Sequence, residues 1–539
     1  MAKLKLPFEL EKPSSNEYVT QADQIGMNGK PLDEAVPEVD NNQNANLDIK
    51  DDENNIIAQF AGGHFRTQKF DSAQTPSQKS TSDSELEFCD ENGNVIARFK
   101  NGHFKTQKFD SSVEVVKGIV YVKDCGAKGD GVTDDTTALE NAFAKAYKEG
   151  KAVVFTDGTY IIRRPLTLRS RMEIYGSGNA TIRKRQSATT RLSQALSENA
   201  ETMYVNSVQG FQVGDYICVS SLNSTYPAAR HCSVGYIKSI DKTNNTITFK
   251  SAYDSLKKGA VKNHAVGCYV TNSCAIFRSW GMFYECNDVY IHNLTLDGNR
   301  QDGEFGDWMN GCVHIDATTG TIEGIAYSFP ARNLTCRDLT IQNSPFDAIS
   351  DQGDGGATIE NCKIINPYMH GVHFGTYYDG ATVINNVFDS TANGAGVFWC
   401  QNVQNVVVSG NRFLNCKKGC SDYEYGTAQQ NSMIIGNIFV GIKSYVFDFS
   451  KTTENFKGKI IMSNNIIEKV KAIVANLIGK DNVIISNNIV RDFTTTPAYL
   501  FNLEDAENIV LSGNIAPSIV TIYNGNPTNL KEFGNSWNN

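Results

Sequence analysis

Six short segments in the middle of this 539-residue chain set histidine, serine and aromatic residues at matching positions. They are Gly311-Cys312-Val313-His314-Ile315-Asp316, Asp347-Ala348-Ile349-Ser350-Asp351-Gln352, Gly371-Val372-His373-Phe374, Gly396-Val397-Phe398-Trp399, Gly419-Cys420-Ser421-Asp422-Tyr423-Glu424 and Tyr445-Val446-Phe447-Asp448. Read as β-strands with Val313, Ile349, Val372, Val397 and Val446 inward, period-two alternation turns His314, Ser350, His373, Phe398, Ser421 and Phe447 outward in one stack. Asp316, Asp351, Asp354, Tyr377, Tyr378, Asp379, Trp399, Tyr423 and Glu424 flank it. Flat aromatic faces stack on pyranose rings, and carboxylates bond hydroxyls, so the patch has the composition of a sugar-binding groove. Asp316, Asp351, Asp354 and His373 are the candidate catalytic residues. His314, Tyr377, Tyr378, Trp399, Tyr423 and Glu424 are the candidate glycan contacts.

Two reactions suit such a patch. Glycoside hydrolysis needs an acid on the leaving oxygen and a carboxylate opposite. Neighbouring strands about 4.8 Å apart would bring acids one rung apart near the roughly 5–5.5 Å of a retaining pair, and two rungs apart near the roughly 6.5–9.5 Å of an inverting one. β-Elimination instead needs a base for the C5 proton, a role histidine can fill. No cofactor is expected. The Asp351-x-x-Asp354 pair is thin evidence for calcium, and no metal is expected.

The elements that must position these residues are legible in a recurring asparagine. Asn293, Asn361, Asn386, Asn411, Asn437, Asn465, Asn488 and Asn514, with Asp338 once in its place, share one local setting, and from Asn361 onward they recur every 23 to 28 residues. Most follow a β-branched run and precede an apolar residue, as in Val510-Leu511-Ser512-Gly513-Asn514-Ile515. A fixed period in this range marks a stacked repeat. It predicts a parallel β-helix of three short strands per coil. Asparagine tolerates left-handed turns, and its amide can bond the copies above and below.

Composition narrows the class. Forty per cent hydrophobic residues are ample for a core, and 44 glycines suit many tight turns. A net charge of -9 argues against a nucleic-acid partner. No apolar run is long enough for a membrane span, and the N-terminus lacks a signal-peptide core. Thirteen cysteines without a CxxC pair read as reduced, buried core residues rather than a zinc site.

Residues 1–112 read differently from the rest. Polar linkers occupy 30–50 and 72–85. Asn54-Asn55-Ile56-Ile57-Ala58-Gln59-Phe60-Ala61-Gly62-Gly63-His64-Phe65-Arg66-Thr67 returns as Gly93-Asn94-Val95-Ile96-Ala97-Arg98-Phe99-Lys100-Asn101-Gly102-His103-Phe104-Lys105-Thr106. Each copy reads as a β-hairpin, marginal by itself. His64 and His103 are equivalent turn-flanking residues rather than a metal pair. These hairpins resemble short modules of bacteriophage tail proteins. The resemblance implies attachment to a tail or baseplate.

Next comes Gly126-Ala127-Lys128-Gly129-Asp130-Gly131-Val132-Thr133-Asp134-Asp135-Thr136-Thr137-Ala138. Asp134 is a candidate N-cap for an amphipathic helix with Ala138, Leu139, Ala142, Phe143, Ala146 and Tyr147 on one face, ended by Gly150. Such a helix would close the open end of a β-helix. The glycines lack phosphate-loop spacing and the following Lys-Ser/Thr. Residues 203–271 interrupt the rungs as an inserted β-subdomain.

The stretch from Gly126 closely resembles the pectate-lyase-like family, which includes polygalacturonases and phage tailspikes, and Tyr175-Gly176-Ser177-Gly178 resembles its early rung turn. The resemblance implies an all-β chain. Residues 113–539 would form a right-handed parallel β-helix solenoid with a capping helix, behind an N-terminal hairpin attachment module. It departs from polygalacturonases in lacking their Asn-Thr-Asp, Asp-Asp and Arg-Ile-Lys motifs, and Met369-His370-Gly371 only faintly echoes Gly-His-Gly, so pectin is a poor substrate guess. By resemblance the chain is a homotrimeric tailspike on a virion that binds, and by hydrolysis or elimination degrades, bacterial surface polysaccharide. A non-enzymatic receptor-binding fibre and a bacterial polygalacturonase-like glycosidase are the alternatives.

Overall fold

The computed structural model describes residues 118–220, 233–252, 259–280, 284–301, 304, 310–316, 320–322, 325–327, 329–375, 378–400, 402–422, 431–449, 459–471, 473–517 and 521–537, with the strand segments of the first 106 residues. The chain divides into two compact units, Met1–Glu114 and Val115–Asn539.

In the first unit, Ile56–Ala61 pairs antiparallel with His64–Thr67, and Val95–Lys100 with His103–Thr106. A third strand joins each hairpin, Asn46–Lys50 and Glu85–Cys89. Each repeat is therefore three strands, where the sequence suggests two. The added strand supplies the pairing that an isolated hairpin lacks.

The second unit is a right-handed parallel solenoid. Its three sheets, here A, B and C, have 15, 11 and 11 strands. One coil illustrates the pattern. Gln404–Ser409 lies in sheet A, Arg412–Leu414 in sheet B and Lys418–Asp422 in sheet C. Alternation sends one row of each strand inward. On sheet B that row includes Phe388, Phe413 and Phe439, whose rings stack at 4.8 and 4.6 Å. Each such buried aromatic contributes about 2–3 kcal/mol of apolar burial. No helix among the described residues is long and apolar enough to cross a membrane.

The recurring asparagine serves two positions rather than one. Asn386, Asn411, Asn437, Asn465, Asn488 and Asn514 are buried at the corner between sheets A and B. From Asn411 onward the amide oxygen of each accepts from the backbone N–H and the side-chain amide of the rung before, as Asn411 does from Asn386 at 2.8 and 3.0 Å. Each side-chain amide also donates to a carbonyl, Asn386 to Ile359 at 2.8 Å. The left-handed backbone falls on the residue before, namely Asn385, Gly410, Gly436, Asn464, Asn487 and Gly513. Asn293, Asp338 and Asn361 belong to that preceding position, with φ of 53° each. In their rungs Leu294, Leu339 and Cys362 hold the interior place. The ladder thus begins where the Cys362 N–H donates to Asn386 at 2.8 Å.

Helix Thr136–Glu149 closes the first rung, burying Leu139, Ala142, Phe143 and Ala146. Phe143 packs on Phe155 and Phe277 at 6.4 and 6.0 Å. The N-cap residue is Asp135, one later than expected. Its carboxylate is turned back to accept the Lys128 and Gly129 N–H groups at 2.6 and 3.0 Å. Asp134 instead accepts the Thr136 N–H at 3.1 Å. The Gly-Asp-Gly loop is thus an aspartate-tied turn. Gly129 has φ of +65°, and a Cβ there would lie 2.9 Å from the Tyr160 ring.

A six-stranded antiparallel sheet is inserted between the coils, in the order Thr189–Arg191, Tyr269–Thr271, Tyr216–Val219, Ser233–Asp241, Thr246–Ser251 and Thr202–Tyr204. It begins ahead of residue 203 because Thr189–Arg191 pairs with Tyr269–Thr271. Its core of Ile217, Val219, Phe249 and Val270 is separate from that of the coils.

Candidate functional site

Sheet C sets the register of the residues that can do chemistry. Phe277, Val313, Ile349, Val372, Val397, Cys420 and Phe447 share one inward row. Arg278, His314, Ser350, His373, Phe398, Ser421 and Asp448 form the outward row beside it. Phe447 is therefore inward, one residue off the alignment through Val446. Val446 and Phe447 are both apolar, so the sequence pattern does not choose between them. Asp448 takes the outward place, beside Lys418.

A third row, Ile315, Asp351, Phe374, Trp399 and Asp422, turns inward again. This corrects two expected site residues, Asp351 and Trp399, and burial removes a third, Tyr378. Trp399 is fully buried, and so is Tyr378, so neither ring offers a face to a sugar. Asp351 lies inside the coil. It accepts the Tyr378 hydroxyl at 2.7 Å and the Gly353 N–H at 2.9 Å. Burial pushes its pKa up to about 6, against these hydrogen bonds. The physical reason is parity, since Asp351 is two residues from Ile349 and shares its side of the strand. Asp354 stands on a turn, 3.5 Å from the exposed Arg332. Tyr377, Tyr423 and Glu424 lie outside the described residues.

Two polar clusters occupy the outward row. In the first, Arg278 donates to Asp316 at 3.0 Å and to the Tyr216 hydroxyl at 2.9 Å, and lies 4.0 Å over the Trp280 ring. His314 Nε2 is 3.1 Å from Asp316. Arg278, His314 and Asp316 are fully buried. Burial works to raise the Asp316 pKa, but Arg278 and His314 outweigh it and hold the carboxyl below its usual range. Burial likewise lowers the His314 pKa. Tyr216 belongs to the inserted sheet, so this cluster joins that sheet to the coils. It holds charge for structure.

The second cluster is centred on His373. Its Nδ1 lies 2.8 Å from Asp347, a fully buried carboxylate that also accepts the His370 N–H at 3.0 Å. Burial alone would depress the His373 pKa. Asp347, and then the nearby Cys400, outweigh it and lift the value to about 9. His370 is buried, and that burial pushes its pKa down to about 3. The His370 Nδ1 accepts the Ala395 N–H at 3.0 Å, and its ring stacks on Phe398 at 4.0 Å. Phe398 also meets His373 edge-on at 4.9 Å and 85°. Near neutral pH these shifts favour a neutral His370 and a protonated His373. With a pKa near 9, roughly one His373 in a hundred is neutral at pH 7, so the cluster offers an acid and a positive charge before it offers a base.

Sequence reasoning passes over Asp347 and His370. The spacing His370-x-x-His373, with an aspartate one coil earlier, is the signal that would find them. It also passes over a cleft of about 430 Å³ rimmed by Tyr147, Tyr284, Phe329, Arg171, Glu285 and Asp288. There Arg169 lies 4.9 and 3.9 Å over Tyr147 and Tyr284. Among the described residues, no three His, Cys, Asp or Glu side chains group as metal ligands.

Residues 119–369 match the family described as rhamnogalacturonase A/epimerase, pectate lyase-like, and residues 282–457 match the right-handed β-helix region. A probable glucan endo-1,3-beta-glucosidase of Arthroderma benhamiae is 24% identical over 280 residues, 44% of this chain and 30% of that protein. The preneck appendage protein of Bacillus phage PZA is 40% identical over 85 residues, 15% of this chain and 10% of its own. The chain thus spans under a third of the length of either curated relative. An exopolygalacturonase of Thermotoga maritima superposes over 74% of this chain and 93% of its own, at 14% identity and a TM-score of 0.44. A tailspike protein mutant of E. coli bacteriophage HK620 does so over 80% and 65%, at 13% identity and 0.41. Taken with the three-sheet parallel topology, the two matches describe residues 119–457 as a right-handed parallel β-helix that is similar to the pectate-lyase-like family over residues 119–369.

Proposed function

We propose that this chain is a phage particle protein that binds bacterial surface polysaccharide along the outer face of sheet C and breaks it down. The observation that carries the reading is His373, whose Nδ1 lies 2.8 Å from the buried Asp347 carboxylate, a partner that favours the protonated ring. It is partly open to solvent, is backed by Asp347 and is braced by the Phe398 ring. An imidazolium so placed neutralises an acidic sugar or protonates a leaving glycosidic oxygen. Support for the particle comes from the likeness to a phage preneck appendage protein, and for the substrate class from the likeness to a probable glucanase.

On this reading residues 1–112 attach the protein to a tail, and residues 113–539 reach the cell. The assembly is a homotrimer. Supporting it, Val407, Met433, Ile461, Ile484 and Val510 form an outward apolar row on sheet A, suited to packing against another copy. The test is to incubate the purified protein with host capsule and follow new reducing ends and the ultraviolet absorbance of unsaturated products. Release of either, lost in His373→Ala, supports the reading. Binding without cleavage leaves a receptor-binding protein. The absence of both binding and cleavage overturns the reading.

A further inference from the structure

We propose that Asp347, His373 and Cys400 form a nucleophilic thiol site whose substrate is an O-acyl ester carried on a glycan. The site itself is independent of the polysaccharide reading, while the glycan that carries the ester rests on it.

The three residues come from three consecutive coils of sheet C. Asp347 precedes Ile349–Asp351, His373 lies in Val372–Phe374, and Cys400 follows Ala395–Trp399 directly. Parallel stacking therefore brings together residues 26 and 27 positions apart in sequence. The Asp347 carboxylate occupies Nδ1 of His373 at 2.8 Å, which leaves Nε2 as the working nitrogen. That nitrogen is buried, and the side chain within hydrogen-bonding reach of it is the Cys400 thiol. Trp399 pairs with Phe374 and the Cys400 N–H donates to the Phe374 carbonyl at 2.9 Å, so Cys400 stands on the coil next to His373 and on the same outward side. The His373 side chain is 14% exposed and Cys400 is 6% exposed, so the pair sits just beneath the outer face. A buried aspartate, an oriented imidazole and a thiol in that order are the parts of an activated cysteine.

The other coil cysteines set the contrast. Cys362 and Cys416 donate to backbone carbonyls in the interior, and burial holds their pKa values up at about 12 and about 11. Cys336 and Cys420 are buried in the inward rows, and burial raises them further. These thiols are inert packing. Cys400 instead neighbours a cation, and an imidazolium beside a thiol stabilises the thiolate.

The reaction closes without an oxidant or a metal. The Sγ thiolate attacks the ester carbonyl carbon and a C–S bond forms. The C–O bond to the sugar then breaks, and the departing oxygen takes the proton from His373 Nε2. This leaves a thioester, a free sugar hydroxyl and a neutral imidazole. Water attacks the thioester carbonyl while giving a proton to His373. The C–S bond breaks, the carboxylic acid leaves, and the thiolate–imidazolium pair is restored.

The experiment uses the full chain with p-nitrophenyl acetate and, separately, with iodoacetamide. The ester should give a burst of p-nitrophenolate, with the acetyl group mapped to Cys400 by peptide mass. Cys400→Ala should abolish the burst, and His373→Gln should slow it by about 100-fold. Alkylation of Cys400 should be nearly independent of pH between about 5 and 8 in the wild type, as for an ion-paired thiolate, and rise steeply with pH in His373→Gln. Cys400→Ser, nearly the same shape, controls for folding by its melting curve. A burst that survives in Cys400→Ala, or a wild-type alkylation rate that climbs with pH as an ordinary thiol's does, overturns the site. If the small ester is cleaved but purified O-acetylated capsule releases no acetate, the thiol site stands and the glycan assignment falls.

Discussion

Replacing Asp347 by asparagine should reverse the sign of the pH dependence around His373. In the wild type the His373 pKa is about 9 against an ordinary 6.5. That gap is about 3 kcal/mol in favour of the imidazolium in the folded state. The folded value is raised, so this stabilisation is fully present below pH 6.5 and is lost as pH rises through about 9. The introduced amide keeps an oxygen for the His370 N–H but carries no charge. Burial, which opposes the cation, is then left uncompensated. His370 shows the outcome for a buried ring, at about 3. The His373 pKa in Asp347→Asn should fall by more than about 2 units, to below the ordinary value, which is a change above about 3 kcal/mol. A depressed histidine destabilises the fold as pH falls, so the variant should weaken on the acid side where the wild type weakens on the alkaline side. The chain has only eight histidines, so their ring signals can be followed individually by NMR with labelled histidine. His373→Gln assigns the relevant one. Melting curves at acid, neutral and alkaline pH provide the second readout. A wild-type His373 that titrates at the ordinary histidine value, or a variant that keeps the wild-type value, would falsify the electrostatic account of the cluster.

Other expectations follow from the same geometry. Asn465→Ala and Asn488→Ala should each destabilise by about 1–3 kcal/mol in urea melts, because they strand the Asn437 N–H and Ile434 carbonyl, and the Asn465 N–H and Met462 carbonyl, respectively; unchanged melting in both would remove the ladder from the account. Asp351, raised to about 6, contributes stability that is present below about pH 4 and lost as pH rises through 6, amounting to about 3 kcal/mol. Asp351→Asn should therefore flatten the stability curve between about pH 4 and 7, and a curve that keeps its slope would place the titration elsewhere. Light scattering should return three times 59.3 kDa for the intact chain, and a monomer would end the trimer proposal.

The solenoid is legible in the sequence because its signal repeats. Each coil offers the same apolar alternation and the same corner asparagine, so errors in one rung are outvoted by the others. What the pattern does not separate is the pair of adjacent corner positions. Asn361 and Asn386 look alike in sequence, but one bends the backbone and the other bonds its neighbours. Asparagine suits both tasks, and only the place of Cys362 inside the rung tells them apart. The site is harder to read for a related reason. Parity within a three-residue strand is settled by a single inward residue, so Asp351 and Trp399 read as flanking a groove when they share the inward side with Ile349 and Val397. Cys400 reads in the sequence as one more core thiol. Its neighbour His373 is 27 residues away, and no local motif joins them.

The outward row of sheet C also shows why a row of polar residues is weak evidence of chemistry. Toward the C-terminus it reads Asp448, Asn476, Asn502 and Asn524. Each amide donates to the residue before it, at 2.8, 3.0 and 3.1 Å. The donors are consumed within the row, so a ladder of this kind supports the coil and has little left to offer a ligand. The same row at Arg278 and His314 is likewise consumed, by Asp316 and Tyr216. At His373 the pattern breaks. Its neighbours in the row are Ser350 and Phe398, which leave the ring to Asp347 on one side and its Nε2 unmatched on the other. A buried polar atom without a partner costs about 1–3 kcal/mol unless something that binds there completes it. That cost is tolerable where an incoming substrate or the neighbouring thiol supplies the missing partner, and this is the ground for proposing chemistry at His373.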